Sequence, residues 1–296
     1  MIRNIKILFF FITTFVLSVP VNAQTKIQVV TRTISRVFEY KPGCLLDIKG
    51  EKANIQVKKS VDNTVRVKIL LIAKNPSAKI AETDLKYCNY HIDESSNGIA
   101  ISNFFNIKDN YKEISSNLSA KYELEVPPGI ILKLKNIYGD LDMNGVEGNF
   151  DIAFDFGQVK LSDIDGNLFI NSNYSDIQGR DIGAIISVKA QKGDIVFTNI
   201  KSLIKIKDQY GSISLDNINA NVDLDAEMTA INITVDNPVL YSLDFTVKEG
   251  EIIAPERYTK MVINKQGKNK LFTSGGKISI KVADTYNIIT LKTKLQ

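Results

Sequence analysis

The most regular feature of the chain is a set of apolar positions that returns every eighteen residues. Taking Gly139 as reference, the equivalent positions hold Gly157, Ser175, Gly193, Gly211 and Thr229, all small. Two residues later stand Leu141, Val159, Ile177, Ile195, Ile213 and Ile231, and two further on Met143, Leu161, Gly179, Phe197, Leu215 and Ile233. Upstream, Leu132, Phe150, Leu168, Ile186, Ile204 and Val222 form one apolar column and Leu134, Ile152, Ile170, Val188, Ile206 and Leu224 another. Val146, Ile164, Ile182, Ile200 and Ile218 add a further column, and Gly148, Gly166, Ala184, Ser202, Ala220 and Pro238 follow it.

Alternating apolar and polar residues in short runs, separated by Asn144, Asp163, Asp181, Asn199 and Asn217, indicate strands and turns rather than helices. Strands repeating at one spacing stack with like residues above like, ~4.8 Å apart. The pattern therefore predicts an all-β fold, a single-stranded parallel β-solenoid wound in the right-handed sense with eighteen residues per coil. Gly139, Gly157, Gly193 and Gly211 read as corners that need positive φ. Tyr138, Phe156, Tyr174 and Tyr210, one residue earlier, fall on the inward parity and read as core.

Outside this run the template is looser. Leu46, Ile48, Ile55 and Val57 fit it around Ala53, Leu243, Phe245 and Ile252 around Gly250, and Ile280, Val282, Ile289 and Leu291 around Asn287. The expected organisation is an N-terminal β cap region with irregular repeats over 24–125, regular repeats over 126–240, and C-terminal coils with a basic strand cap over 241–296. A short helix is expected within 77–88, and Ser274-Gly275-Gly276-Lys277 reads as a hairpin turn. Residues 1–23 have the plan of a signal peptide: Arg3 and Lys6, an apolar run over 7–17, and Val21-Asn22-Ala23. That run is well short of the ~20 residues that span a bilayer, so no integral membrane segment is expected after cleavage. The address is export, to the periplasm, the outer cell surface or the medium.

With 296 residues and 44% hydrophobic content the chain can bury a large core. Losing Arg3 and Lys6 would leave 35 basic against 33 acidic residues, close to neutrality. The balance is uneven, because 257–296 carries Arg257, Lys260, Lys265, Lys268, Lys270, Lys277, Lys281, Lys292 and Lys294 against Asp284 alone. Such a patch suits anionic polysaccharide or lipid headgroups, or simply guards exposed strands. Cys44 and Cys88 in an exported chain are either a disulfide or two separate thiols.

Candidate chemistry is sparse. His91 is the only histidine, Trp is absent, and there is neither a Gly-x-Ser-x-Gly nor a phosphate-binding glycine loop. Asp140, Asp176 and Asp194 share one column and offer a cation two neighbouring carboxylates, although aspartates at turns ordinarily cap backbone. Lys189, Lys205 and Lys207 could meet an anionic glycan, or pair with Asp223 and Asp225. No catalytic residue, cofactor or metal ligand is assigned, and no nucleic-acid partner is expected.

Hexapeptide acyltransferase coils are excluded because the six-residue step from Leu132 meets Asn144 and Ser162, and calcium-binding nonapeptides because dense Gly-Gly-x-Gly-x-Asp runs are absent. Tyr138-Gly139-Asp140-Leu141-Asp142-Met143 with Gly148, Phe156-Gly157 with Gly166, Lys192-Gly193-Asp194-Ile195 and Tyr210-Gly211-Ser212-Ile213 correspond to the form x-Tyr-Gly-Asp-Ile-x-Ile-x-x-x-x-Gly. In these units the chain resembles a bacterial family of exported adhesin-domain proteins of the head-domain type. The 42–50 segment Pro-Gly-Cys-Leu-Leu-Asp-Ile-Lys-Gly and Val126-Pro127-Pro128-Gly129 extend the resemblance over most of the exported chain. It implies an envelope-facing β-solenoid without a catalytic site, binding a glycan or envelope protein at its surface. The alternatives are a periplasmic scaffold and a cation-dependent polysaccharide-active enzyme working through Asp176 and Asp194.

Overall fold

A computed structural model describes residues 26–106 and 114–294. The expected signal peptide, 1–23, lies outside the described residues. The fold is all-β: strand accounts for 73% and helix for 6%, and twenty strands join in one sheet that curves most of the way round an apolar interior.

Two walls face each other across that interior. In the middle of the molecule every wall strand lies parallel on a strand eighteen residues away. Ile177 pairs with Ile195, Ile195 with Ile213 and Ile213 with Ile231 on one wall. Leu168 pairs with Ile186, Ile186 with Ile204 and Ile204 with Val222 on the other. Each eighteen-residue unit thus contributes one rung to each wall, and the long strand Ile130–Ile182 supplies the first three units without interruption. The apolar columns point inward and are buried along their whole length. Burying one such Val, Leu or Ile is worth about 1.5–3 kcal/mol, so the stacked columns dominate the stability of the middle. The single polar-sized gap in them, Gly179, is filled by the Phe197 ring of the next rung, where a Cβ would collide with Cδ1.

The reference glycines have a different physical role from the expected one. Positive φ falls on the residue before them, at Tyr138, Phe156, Tyr174, Lys192, Tyr210 and Met228; of the four glycines only Gly139 shares it. Gly157 is needed for close approach, because a Cβ there would fall on the Gly139 carbonyl oxygen of the rung below. Where Ser175 and Thr229 replace glycine, their hydroxyls turn inward: Ser175 donates to the Asn173 carbonyl at 3.2 Å, and the Thr229 oxygen lies 3.1 Å from the Glu227 carbonyl. The second bend of each unit stands on the expected Asp163, Asp181, Asn199 and Asn217, all at positive φ, but in the first unit the position is Gly145 and not Asn144, because the eighteen-residue register falls one residue later. Its side chains form a ladder in which Asn217 donates to Asn199 at 2.5 Å and Asn199 to Asp181 at 2.8 Å.

At both ends the order of rungs departs from the order of the sequence. Leu45–Glu51 and Ala53–Lys59 lie between the 130–146 rung on one side and Gly98–Phe105 with Asn117–Val126 on the other. At the opposite end Ile278–Thr285 and Ile288–Thr293 are inserted between the 222–235 rung and Tyr241–Lys248 with Glu251–Ile253. Both ends are then finished by antiparallel strands. Thr64–Asn75 runs against Gln28–Glu39 and Asn117–Val126, and Cys88–Ser95 against Gly98–Phe105. Lys268–Phe272 runs against Tyr241–Lys248 and Val262–Lys265. Residues 274–277 are therefore not a hairpin turn: the strands they join lie on opposite sides of Tyr241–Lys248. The short helix Ala78–Asp84 is capped by the Ser77 hydroxyl, which accepts from the Ile80 amide.

Cys44 and Cys88 are both free. Cys44 adjoins the turn end of the hairpin, where Leu45 pairs with Gly98, whereas Cys88 begins the same hairpin at its far end, opposite Phe105. Seven strand residues separate those ends, about 23 Å, far beyond the Cα separation a disulfide tolerates. Burial also pushes the Cys88 thiol up to about 11, which keeps it protonated.

Candidate functional site

The bend between the walls carries the most unusual side chains in the molecule. Strand parity places Leu132, Leu134 and Asn136 inward, and after the bend Leu141 and Met143. Even positions give way to odd ones, so alternation is broken between 136 and 141. The residue at the break adopts left-handed backbone, which reverses its side chain. Tyr138, Phe156, Tyr174 and Tyr210 consequently lie outside, 50%, 42%, 48% and 47% exposed, and not in the core as their parity suggested. Met228 and Tyr286 continue the column, also exposed. The missed signal was the change of parity itself.

Successive rungs hold these rings in a ladder. Tyr138 and Phe156 stack with centroids 4.9 Å apart and planes 17° from parallel, and Phe156 and Tyr174 at 5.1 Å and 11°. The next residue in the column, Lys192, places its Nζ 4.9 Å from the Tyr174 centroid and donates to the Tyr174 hydroxyl at 2.9 Å. That hydrogen bond raises the Lys192 pKa. The facing sides of Tyr138, Phe156 and Tyr174 are thus occupied by one another and by Lys192, which also engages the Tyr174 hydroxyl, while the outer ring edges are exposed.

Polar columns border the ladder on both sides. Asp140 accepts from the Gln158 amide at 3.1 Å, Asp176 from the Asp194 amide at 3.0 Å, and Asp194 from the Ser212 hydroxyl at 2.6 Å. Each of these aspartates therefore ties its own rung to the next. Among the described residues there is no cluster of three or more His, Cys, Asp or Glu groups able to hold a metal. On the other border Asn173 donates to Asp155 and Gln209 to Glu227, each at 2.8 Å.

The remaining sequence candidates are dispersed. Lys205 faces Asp223, which faces Lys281, and Lys207 pairs with Asp225 at 3.2 Å. Exposed pairs of this kind contribute little. His91 is exposed on the Cys88–Ser95 strand, away from the ladder. Leu45, Ile131, Phe169 and Ile185 line an open depression of about 370 Å³ on the outside of one wall.

Sequence reading also passed over two carboxylates beneath the bend. Asp208 and Asp284 are 2% and 4% exposed and flank Ala226, since Asp208 pairs with Ala226 and Asp225 with Ala283. The Thr229 hydroxyl donates to Asp208 Oδ2 at 2.8 Å; Asp208 Oδ1 and both Asp284 oxygens have no side-chain partner among the described residues. Burial pushes both up to about 6.

No family model and no curated relative matches the chain. Solved structures align with it over most of its length. A "putative cell adhesion protein" from Clostridium sporogenes is 11% identical, covering 89% of this chain and 100% of its own, with a TM-score of 0.30. A "putative adhesin" from Bacteroides fragilis is 12% identical over 88% and 97%, with a TM-score of 0.36. A "putative lipid binding protein" from Parabacteroides distasonis is 11% identical over 89% and 95%, with a TM-score of 0.35. Similarity of this degree assigns neither a ligand nor an activity to the chain.

Proposed function

We propose that the chain is a right-handed parallel β-solenoid that is exported and works without catalysis, as an adhesin-like protein whose ladder at 138–210 holds an extended envelope or surface polymer. The supporting observation is the choice of residues at the bend. Left-handed backbone favours Gly, Asn or Asp, and a bulky residue there costs on the order of 1–3 kcal/mol. The other bend of the same units uses Gly145, Asp163, Asp181, Asn199 and Asn217. Tyr138, Phe156 and Tyr174 accept that cost and recover only part of it, since stacked aromatic pairs contribute about 0.5–1.5 kcal/mol. Large rings retained in a disfavoured conformation and left exposed are explained by contact with something outside the chain. The faces closed between Tyr138, Phe156 and Tyr174 disfavour a sugar stacked within the ladder. Open edges, hydroxyls and amide borders suit a linear glycan or extended peptide along the stack, held by many shallow contacts.

Asparagine is the discriminating substitution, because it suits the backbone and removes the ring. A Tyr138→Asn/Phe156→Asn/Tyr174→Asn variant is expected to keep its melting temperature within a few degrees. Its binding to an array of envelope polysaccharides, host glycans and extended peptides should fall at least about tenfold against the parent. Undiminished binding overturns the reading, and a large loss of stability would make the ladder a structural device. Protease treatment of intact cells then decides location: cleavage favours adhesion at the surface, and protection until the outer envelope is opened moves the partner to the periplasm.

A further inference from the structure

One end of the stack presents a second surface, unrelated to the ladder. Val262–Lys265 and Lys268–Phe272 form a hairpin with Ile263 opposite Lys270 and Lys265 opposite Lys268. Leu271 is fully buried and Val262 half-buried, so this pair faces the interior. Alternation sends Ile263, Lys265, Lys268 and Lys270 to the other side, with Met261 and Phe272 continuing that face. There Met261 is 49%, Ile263 66% and Phe272 62% exposed. Val239, 74% exposed, adjoins Met261 across a depression that also includes Tyr258. The segment 256–277 carries Arg257, Lys260, Lys265, Lys268, Lys270 and Lys277 against Glu256 alone. Among the described residues none of Lys265, Lys268 and Lys270 forms an ion pair.

Lysines alone would be ordinary protection of an edge strand. Three large apolar side chains interleaved with them defeat that purpose, because they leave the end face prone to association. A surface combining both is matched by an interface that is apolar below and anionic above. We propose that this end face docks on an anionic lipid bilayer. Met261, Ile263 and Phe272 enter the boundary between headgroups and acyl chains. Lys265, Lys268 and Lys270 reach the lipid phosphates, their stems lying along the apolar patch.

The test is co-sedimentation of the protein, purified after export with its N-terminus fixed by mass spectrometry, with phosphatidylcholine vesicles with or without phosphatidylglycerol. Binding should be at least about tenfold tighter with phosphatidylglycerol and should weaken with salt. A Lys265→Glu/Lys268→Glu/Lys270→Glu variant and an Ile263→Ser/Phe272→Ser variant should each lose about tenfold or more, with circular dichroism unchanged. The asparagine ladder variant should bind vesicles like the parent. Equal binding to the two vesicle types overturns the proposal, as does parental binding by either end-face variant. Capture of soluble dextran sulfate as tightly as vesicles, insensitive to Ile263→Ser/Phe272→Ser, would replace a bilayer by a soluble polyanion and likewise overturn it.

Discussion

Between residues 130 and 235 each rung rests on its predecessor in the sequence, parallel and in register, whereas at both ends a rung from outside that run is slipped inside the outermost one. The middle repeats one local solution. Every unit meets the same neighbours, so stability there is a sum of similar rung-to-rung terms. The ends cannot use it, because an unfinished rung exposes apolar core and unpaired backbone together. They change to antiparallel pairing and short covering helices, and their contacts join residues far apart in sequence. Periodicity therefore describes the middle, and topology the ends.

Substitutions separate the two regimes. The largest effect is expected from Gly157→Ala in the middle, where the added carbon meets the Gly139 carbonyl; a loss of about 3 kcal/mol or more should appear in urea unfolding. The same change at Gly275, which has open space around it but positive φ, should cost only about 1 kcal/mol. Comparable losses there would erase the distinction. Next, Ile195→Ala empties a site enclosed by rungs on both sides and should cost about 3–4 kcal/mol, roughly twice the loss for Ile252→Ala at the outermost rung.

The buried carboxylates sharpen the comparison at the junction of middle and end. Asp208 and Asp284 titrate near 6 in the folded chain, above the ordinary carboxylate value of 3.8. Protonation therefore favours the fold: their stabilising contribution is complete below about 4 and is lost as pH rises through 6. Thermal unfolding should occur a few degrees higher at pH 5 than at pH 7.5, and Asp208→Asn with Asp284→Asn should raise the pH 7.5 value and flatten the difference. A parent more stable at pH 7.5 would refute this. The smallest effect is expected at the amide ladder: Asn199→Ala breaks two side-chain hydrogen bonds at a half-buried left-handed position, for a loss of about 1 kcal/mol in the same unfolding experiment.

The eighteen-residue columns were legible because stacking puts equivalent residues in equivalent surroundings, and Ile177, Ile195 and Ile213 differ in nothing but height. Membership of the irregular rungs was legible too: Leu46 and Ile55 do pair with Leu132 and Leu141. Their place in the stack was not, since an apolar pattern encodes which side faces inward and carries no information on which rung lies above. The outward placement of Tyr138 and Phe156 was not legible because alternation holds only while the backbone stays extended, and one residue of positive φ inverts it within a continuous strand. The burial of Asp208 and Asp284 was not legible because their column, with Asn136, Phe154, Ser172, Ala190 and Ala226, is not consistently apolar and so carries no inward signature in sequence.

The inserted end rungs also bear on how such a chain can change length over generations. Duplicating one eighteen-residue unit between 148 and 218 adds a rung to both walls and leaves each closure untouched. Loss of the segment after 277 removes a rung from within the stack, parting 222–235 from 241–253, so it yields a breached protein rather than a shorter one. The fold thus accepts a change of length in the middle without reopening either end, whereas each end closes only as a whole.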